Sequence, residues 1–213
     1  MANIGKKIAD GLYGKMEFEF ACNRGHAFGE YFMHGVINEI LAASIDPHIV
    51  NLRPGFPEPA LQTPATRGRK RELDFALVDL ATMQPTTFIE AKWAGSSHCN
   101  EETILKDVSR LAVVHKAYPS STSLFVLAGG KDAVEKVLGS GILGPQDKPE
   151  TRLLTYPYHS YGRSFSIQRF ATASQTEKLR NDLPCVPQKI NTFLYKPSHA
   201  APPNWRVLVW RIR

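Results

Sequence analysis

Two short stretches in the middle of the chain set β-prone apolar residues around a few charged ones, which predicts β-strands. The first is Leu73-Asp74-Phe75-Ala76-Leu77-Val78-Asp79, and the second is Thr87-Phe88-Ile89-Glu90-Ala91-Lys92-Trp93. A turn-like segment, Ala81 to Thr86, separates them. Upstream, the pattern from Arg24 to about Ser44 predicts a helix with a broad apolar face. Downstream, Asn100 can cap a second helix, with Glu101 and Glu102 in its first turn. Ile104, Val108, Leu111, Ala112 and His115 form the core stripe of that helix. The continuous apolar run Leu124-Phe125-Val126-Leu127-Ala128 predicts a buried strand, and a helix from about Asp132 to Leu138 follows it. In the last third, Ser164 to Ile167 alternates with period two, and Trp205 to Ile212 predicts a terminal strand. Residues 53–66 are rich in proline and predict a loop. Strands interleaved with helices place the chain in the α/β class.

Length and charge refine this picture. A chain of 213 residues fits one domain, or one domain with an appendage. Residues 1–150 carry 16 basic and 18 acidic side chains, whereas residues 151–213 carry 10 and 2. The chain therefore reads as an α/β core over 1–150 with a basic C-terminal extension over 151–213, packed on the same domain. A basic surface beside an acidic centre suits a polyanionic partner. No uninterrupted apolar run reaches the roughly 18 residues of a membrane span, and Met1 to Lys7 lacks the apolar stretch of a signal peptide. Cys22, Cys99 and Cys185 are odd in number and widely spaced, which predicts free thiols and a cytoplasmic location. Gly129-Gly130-Lys131 lacks the spacing of a phosphate-binding loop, so nucleotide hydrolysis of that type is excluded.

Candidate chemistry centres on the two middle strands. Glu90 and Lys92 are two residues apart and share one side of their strand. Asp74 begins the preceding strand and can face that pair if the strands run antiparallel. Two carboxylates and an ammonium at one sheet face are costly to bury, and a divalent cation between the acids would relieve that cost. Mg²⁺, or Mn²⁺, prefers oxygen ligands and usually takes one or two carboxylates. Asp74 and Glu90 would supply these, with the carbonyl of Ala91 as a third oxygen. Such a metal lowers the pKa of bound water and offsets charge on a phosphate. Lys92 would orient or help deprotonate that water, or steady the phosphate as a point charge.

Asp74, then Glu90 16 residues later with Ala91 and Lys92 after it, resembles the PD-(D/E)xK nuclease superfamily, which includes restriction endonucleases and Holliday-junction resolvases. The resemblance covers roughly residues 24 to 130. Leu73 stands where the proline of the family's name would precede the acid. It implies a restriction-endonuclease-like three-layer α/β/α core, in the order αβββαβ, with a mixed sheet flanked by helices. It also implies Mg²⁺-dependent hydrolysis of phosphodiester bonds in nucleic acid, with DNA favoured over RNA, and a homodimer or a protein partner. The helix before the hairpin gives an accessory glutamate in this family. Glu30, on one stripe with Ile37 and Leu41, is the candidate here, and Glu39 is its rival.

The basic cluster Arg67, Arg69, Lys70 and Arg71 precedes Asp74 and is placed to grip phosphates. Arg110, on the helix after the second strand, is a further candidate for approaching the cleft. In the last third, Tyr156, Tyr158, Tyr161, Phe165 and Phe170 alternate with Arg152, Arg163 and Arg169; this pattern fits either stacking on bases or strands packing on a core. Two other functions stay open. One is a nuclease-like fold that only binds nucleic acid or serves an assembly. The other is an unrelated α/β interaction protein with a surface Glu–Lys pair.

Overall fold

A computed structural model describes residues 3–63, 70–144, 152–154, 163–195, 197–198 and 204–213. Seven strands form one mixed sheet in the order β1-β2-β3-β4-β7-β6-β5. The strands are β1 (Val50–Pro57), β2 (Glu72–Asp79), β3 (Pro85–Trp93), β4 (Thr122–Gly130), β5 (Arg163–Ser166), β6 (Lys189–Tyr195) and β7 (Trp205–Ile212). The helices are α1 (Ile4–Ala21), α2 (Glu30–Ala42), α3 (Glu101–Ala117), α4 (Lys131–Leu138), a single turn α5 (Ile167–Phe170) and α6 (Ala173–Asp182). Only β3 and β4 pair in parallel, across the α3 crossover, and every other neighbouring pair is antiparallel. Among the described residues, no helix is long and apolar enough to cross a membrane.

Helices cover both faces of the sheet, and each face has its own core. On one face Ile8, Leu12 and Met16 of α1 and Met33, Ile37 and Leu41 of α2 pack on Phe75, Ile89, Ala91, Val126 and Val209. On the other, Ile104, Val108 and Leu111 of α3, with Val134 of α4 and Leu179 of α6, pack on Phe88, Phe125, Leu127 and Trp210. Period-two alternation along β3 sends Phe88 to the α3 face and Ile89, Ala91 and Trp93 to the α1/α2 face. The C-terminal strands belong to this same sheet, because β7 lies between β4 and β6.

Three details differ from the sequence expectation, and a fourth decides between its alternatives. α1 precedes everything the pattern identified; Asn3 caps it by accepting from Lys6 N–H, and Ile8, Leu12 and Met16 recur every four residues. The helix expected from Arg24 is interrupted: a 3-10 turn spans Gly25–Ala27, Phe28 is extended, and α2 starts only at Glu30. The proline-rich segment is strand up to Pro57, since β1 is an edge strand, where a missing backbone N–H is tolerated. Phe165 is fully buried and packs at 5.6 Å on Phe170, so both belong to the core. Tyr156, Tyr158 and Tyr161 lie outside the described residues.

Candidate active site

The candidate site forms where β2 and β3 part. Their pairing runs to Phe75 opposite Ile89. Beyond it β2 stays with β1, with Leu73 opposite Phe56, while β3 stays with β4, with Glu90 opposite Phe125 and Lys92 opposite Leu127. Asp74 spans the resulting fork, and its Oδ2 accepts the Ala91 N–H at 2.7 Å. One residue's N–H and C=O leave a strand by the same edge, so the Ala91 carbonyl lies on the Asp74 side of β3.

Glu90 and Lys92 project toward α3, which meets them with two charges of its own. Arg110 Nη1 lies 2.8 Å from Glu90 Oε1 and 3.4 Å from Asp107 Oδ1. Lys92 Nζ lies 3.3 Å from Asp107 Oδ2, and Arg110 Nη2 also donates to the Glu72 carbonyl. Glu90 and Asp107 are 2% and 5% exposed, so this quartet lies inside the protein rather than on its surface. On the opposite side of the fork, His34 Nε2 of α2 stands 3.8 Å from Asp74 Oδ2, and its ring meets Phe75 edge-on.

Burial dominates the electrostatics. It holds the Glu90 carboxyl well above the usual carboxylate range, and the nearby Asp107 and Asp74 push it further, against Arg110 and Lys92. Asp107 is raised chiefly by burial as well, with Lys92 and Arg110 pulling the other way. Burial alone would lower the Lys92 ammonium pKa, but Asp107, Glu90 and Asp74 outweigh it and the net direction is upward. The neighbouring Cys99 thiol, buried and facing the carboxylates of Glu30 and Asp107, is pushed up to about 11 despite Lys92. Three acids thus face two permanent cations.

The site residues expected from sequence are placed unequally. Asp74, Glu90, Ala91 and Lys92 come together. Glu30 is the first residue of α2 and half-buried; its field reaches Cys99, while among the described residues Lys92 pairs with Asp107 and not with Glu30. Glu39 is exposed. Arg110 is turned inward as the partner of Glu90, so it holds carboxylates instead of reaching toward solvent. Arg71 is also committed, donating to the Leu61 carbonyl at 3.1 Å and to that of Asp182. Lys70 lines an open cleft of about 690 Å³ together with His34, Asn38, Pro54, Glu72 and Asp74. Arg67 and Arg69 lie outside the described residues.

Compared with known proteins, the chain matches no family model, no curated protein and no solved structure. The site therefore has to be read on its own chemistry. Sequence reasoning missed two of its members, and each left a trace. Asp107 falls between Ile104 and Leu111 on the stripe that α3 buries, and an acid there needs a partner. His34 is one turn beyond Glu30 and so shares its side of α2.

Whether a cation fits can be judged from the donors. Among the described residues, no group of three or more His, Cys, Asp and Glu side chains is gathered to hold a metal ion. Two carboxylates and one carbonyl remain, and Mg²⁺ commonly binds through one or two carboxylates while keeping its waters. Three acids against two permanent cations leave negative charge that a cation at this fork would offset. The donor set fits Mg²⁺ or Mn²⁺ and lacks the thiolate or imidazole set of a structural zinc site.

Proposed function

We propose that this chain is a Mg²⁺-dependent nuclease with a restriction-endonuclease-like core, hydrolysing phosphodiester bonds in nucleic acid, DNA before RNA. The observation that carries this reading is the meeting of Asp74, Glu90, Ala91 and Lys92 at the fork between β2 and β3. The order α2-β1-β2-β3-α3-β4 gives the αβββαβ succession, which supports the fold assignment.

Asp74 and Glu90, with the Ala91 carbonyl, would hold the cation, which supplies an acidified water and charge compensation at the phosphate. The chain's own residues do the rest. Lys92, kept charged by its acidic neighbours, offers an ammonium to a phosphate oxygen or orients the attacking water. Asp107 and Arg110 hold Lys92 and Glu90 in place from the α3 side. The open cleft beside Asp74 gives a strand access from the α2 side, with Lys70 at its wall.

One observation favours a second reading. Arg110 already pairs with Glu90, and Lys92 already pairs with Asp107, which suits a fold that binds nucleic acid without cutting it. Incubation with linear, circular and single-stranded DNA and with RNA, in Mg²⁺, Mn²⁺ or EDTA, separates the two. Metal-dependent cleavage that disappears in Asp74→Ala and Lys92→Ala supports the nuclease. Binding without cleavage, equal in wild type and variants, supports the second reading.

A further inference from the structure

Strands β6 and β7, away from the fork, carry a second feature that the acidic fork leaves unexplained. β6 alternates strictly between exposed and buried side chains along Lys189, Ile190, Asn191, Thr192, Phe193 and Leu194. Ile190 and Leu194 join the core under α3, so Lys189, Asn191 and Phe193 occupy the α1/α2 face. On β7, Val207 and Val209 belong to the α1/α2 core, which puts Arg211 and Arg213 on that same face. Register brings them side by side. Phe193 stands opposite Arg211, and Asn191 and Arg213 exchange backbone hydrogen bonds at 2.7 and 2.8 Å.

α1 meets this corner through its N-cap, Asn3. Its N-terminal turn ends over Tyr195, where a methyl group on Gly5 would come within 2.5 Å of the ring. Phe193, the next residue along this face, is 43% exposed. Its ring meets that of Tyr195 edge-on at 5.7 Å. A single exposed phenylalanine is ordinary on a protein surface; what surrounds this one is not.

A cleft of about 390 Å³ runs past Phe193, Tyr195, Arg211 and Arg213, and a second of about 640 Å³, on the α3 side, runs past His115, Lys116, Lys189 and Arg213. They meet at Asn191 and Arg213. Among the described residues every charged side chain lining them is basic, and neither Asp nor Glu contributes. Among the described residues none of Lys116, Lys189, Arg211 and Arg213 joins an ion pair, in contrast to Lys6, Lys15, Lys106, Lys178 and Arg206 elsewhere on the surface. Arg211 Nε is buried without a hydrogen-bond partner, which is costly unless an acceptor arrives. Burial is the main cause that lowers the pKa of His115, and the charges of Arg213 and Arg211 lower it further.

We propose that this open face of β6 and β7 binds single-stranded nucleic acid, with a base stacked on Phe193 and phosphates held by Arg211, Arg213 and Lys189. Charge complementarity selects the occupant: unpaired cations with no acid among them attract a polyanion. The aromatic ring narrows the choice, because an exposed ring beside Arg211 gives a base something to stack on and the carboxylates of an acidic protein segment nothing comparable. The assignment stands apart from the acidic fork and does not require that the fork cuts.

The test is binding of a fluorescein-labelled oligothymidylate to the full chain in EDTA, read by anisotropy. Phe193→Ala should weaken binding by about 5- to 100-fold, the range of base–aromatic stacking. Arg211→Ala with Arg213→Ala should weaken it and flatten the salt dependence by about 0.7 in log–log slope for each phosphate no longer neutralised. Lys136→Ala, an exposed lysine on α4, should leave the affinity unchanged. Wild-type affinity in both the Phe193 and the double arginine variant overturns the proposal. So does weakened binding in the arginine variant alone, which leaves only a general polyanion site. Displacement by polyglutamate as effective as by unlabelled oligonucleotide overturns it in favour of an acidic protein segment.

Discussion

One sheet carries two charged regions built on opposite terms. At the β2/β3 fork, acids outnumber permanent cations, Glu90 and Asp107 are buried, and both are paired with basic side chains, Arg110 and Lys92. Along β6 and β7, cations stand alone, largely exposed, with no acid among the described lining residues. The difference separates two uses of charge. Buried and paired, a charged group is fixed in position and its protonation is shifted, which is what a reacting centre requires. Exposed and unpaired, it is free to meet a partner's charge, which favours capture and makes it salt-sensitive.

Substitution at the fork should have the largest effect. Asp74→Ala, Glu90→Ala or Lys92→Ala should each lower metal-dependent cleavage by about 10²- to 10⁴-fold, the range expected for a positioned catalytic group. The same variants should bind oligothymidylate in EDTA as wild type does. Retained cleavage in any one of them would remove that residue from the site.

Stability should divide along the same line. Arg110→Ala strips the partner from Glu90 and Asp107, and breaking a buried pair from one side costs about 3–5 kcal/mol. Arg211→Ala, with no ion pair to lose, should stay within about 0.5 kcal/mol of wild type. Urea denaturation of the two variants reads the contrast directly, and equal losses would erase it.

A smaller effect concerns buried acids away from the fork. Glu58 is fully buried, and burial raises its carboxyl above the usual 4.5, against the Ala60 N–H and the Tyr118 hydroxyl. The folded state therefore binds this proton more tightly than the unfolded chain does. Its contribution to stability is full below the unfolded value and declines as pH rises through it toward the raised folded value. Glu58→Gln should be more stable than wild type near neutral pH, with the gap closing as pH falls toward about 4.5. Thermal melts across that range would show it; a gap that widens toward acid would have the wrong sign.

The parts of the fold legible in sequence were those with a clean period. β2, β3, β4 and β7 were found because apolar residues alternate or run unbroken, and α3 because Asn100 caps it ahead of a regular stripe. α1 escaped because Gly5, Gly11 and Gly14 dilute its apolar rows, and β1 because Pro54, Gly55 and Pro57 look like loop until an edge position excuses them. At the site, spacing along one strand was enough to pair Glu90 with Lys92. It could not give the parting of β2 from β3 beyond Phe75, which sets Asp74 against Ala91, nor the opposition of Asp107 and Arg110 to Lys92 and Glu90. Those depend on how separate elements meet, and a single sequence does not display that. The Phe193–Arg211 pairing was hidden for the same reason, since the two lie on different strands.

The central claim is that the fork cuts and the β6/β7 face holds. The most direct measurement is single-turnover cleavage and EDTA binding of one labelled single-stranded DNA by wild type, Asp74→Ala and Phe193→Ala. Asp74→Ala should bind normally and not cut, while Phe193→Ala should bind weakly and, once saturated, cut at the wild-type rate in Mg²⁺. Unimpaired cleavage by Asp74→Ala, or a saturated cutting rate that falls in Phe193→Ala, would contradict it.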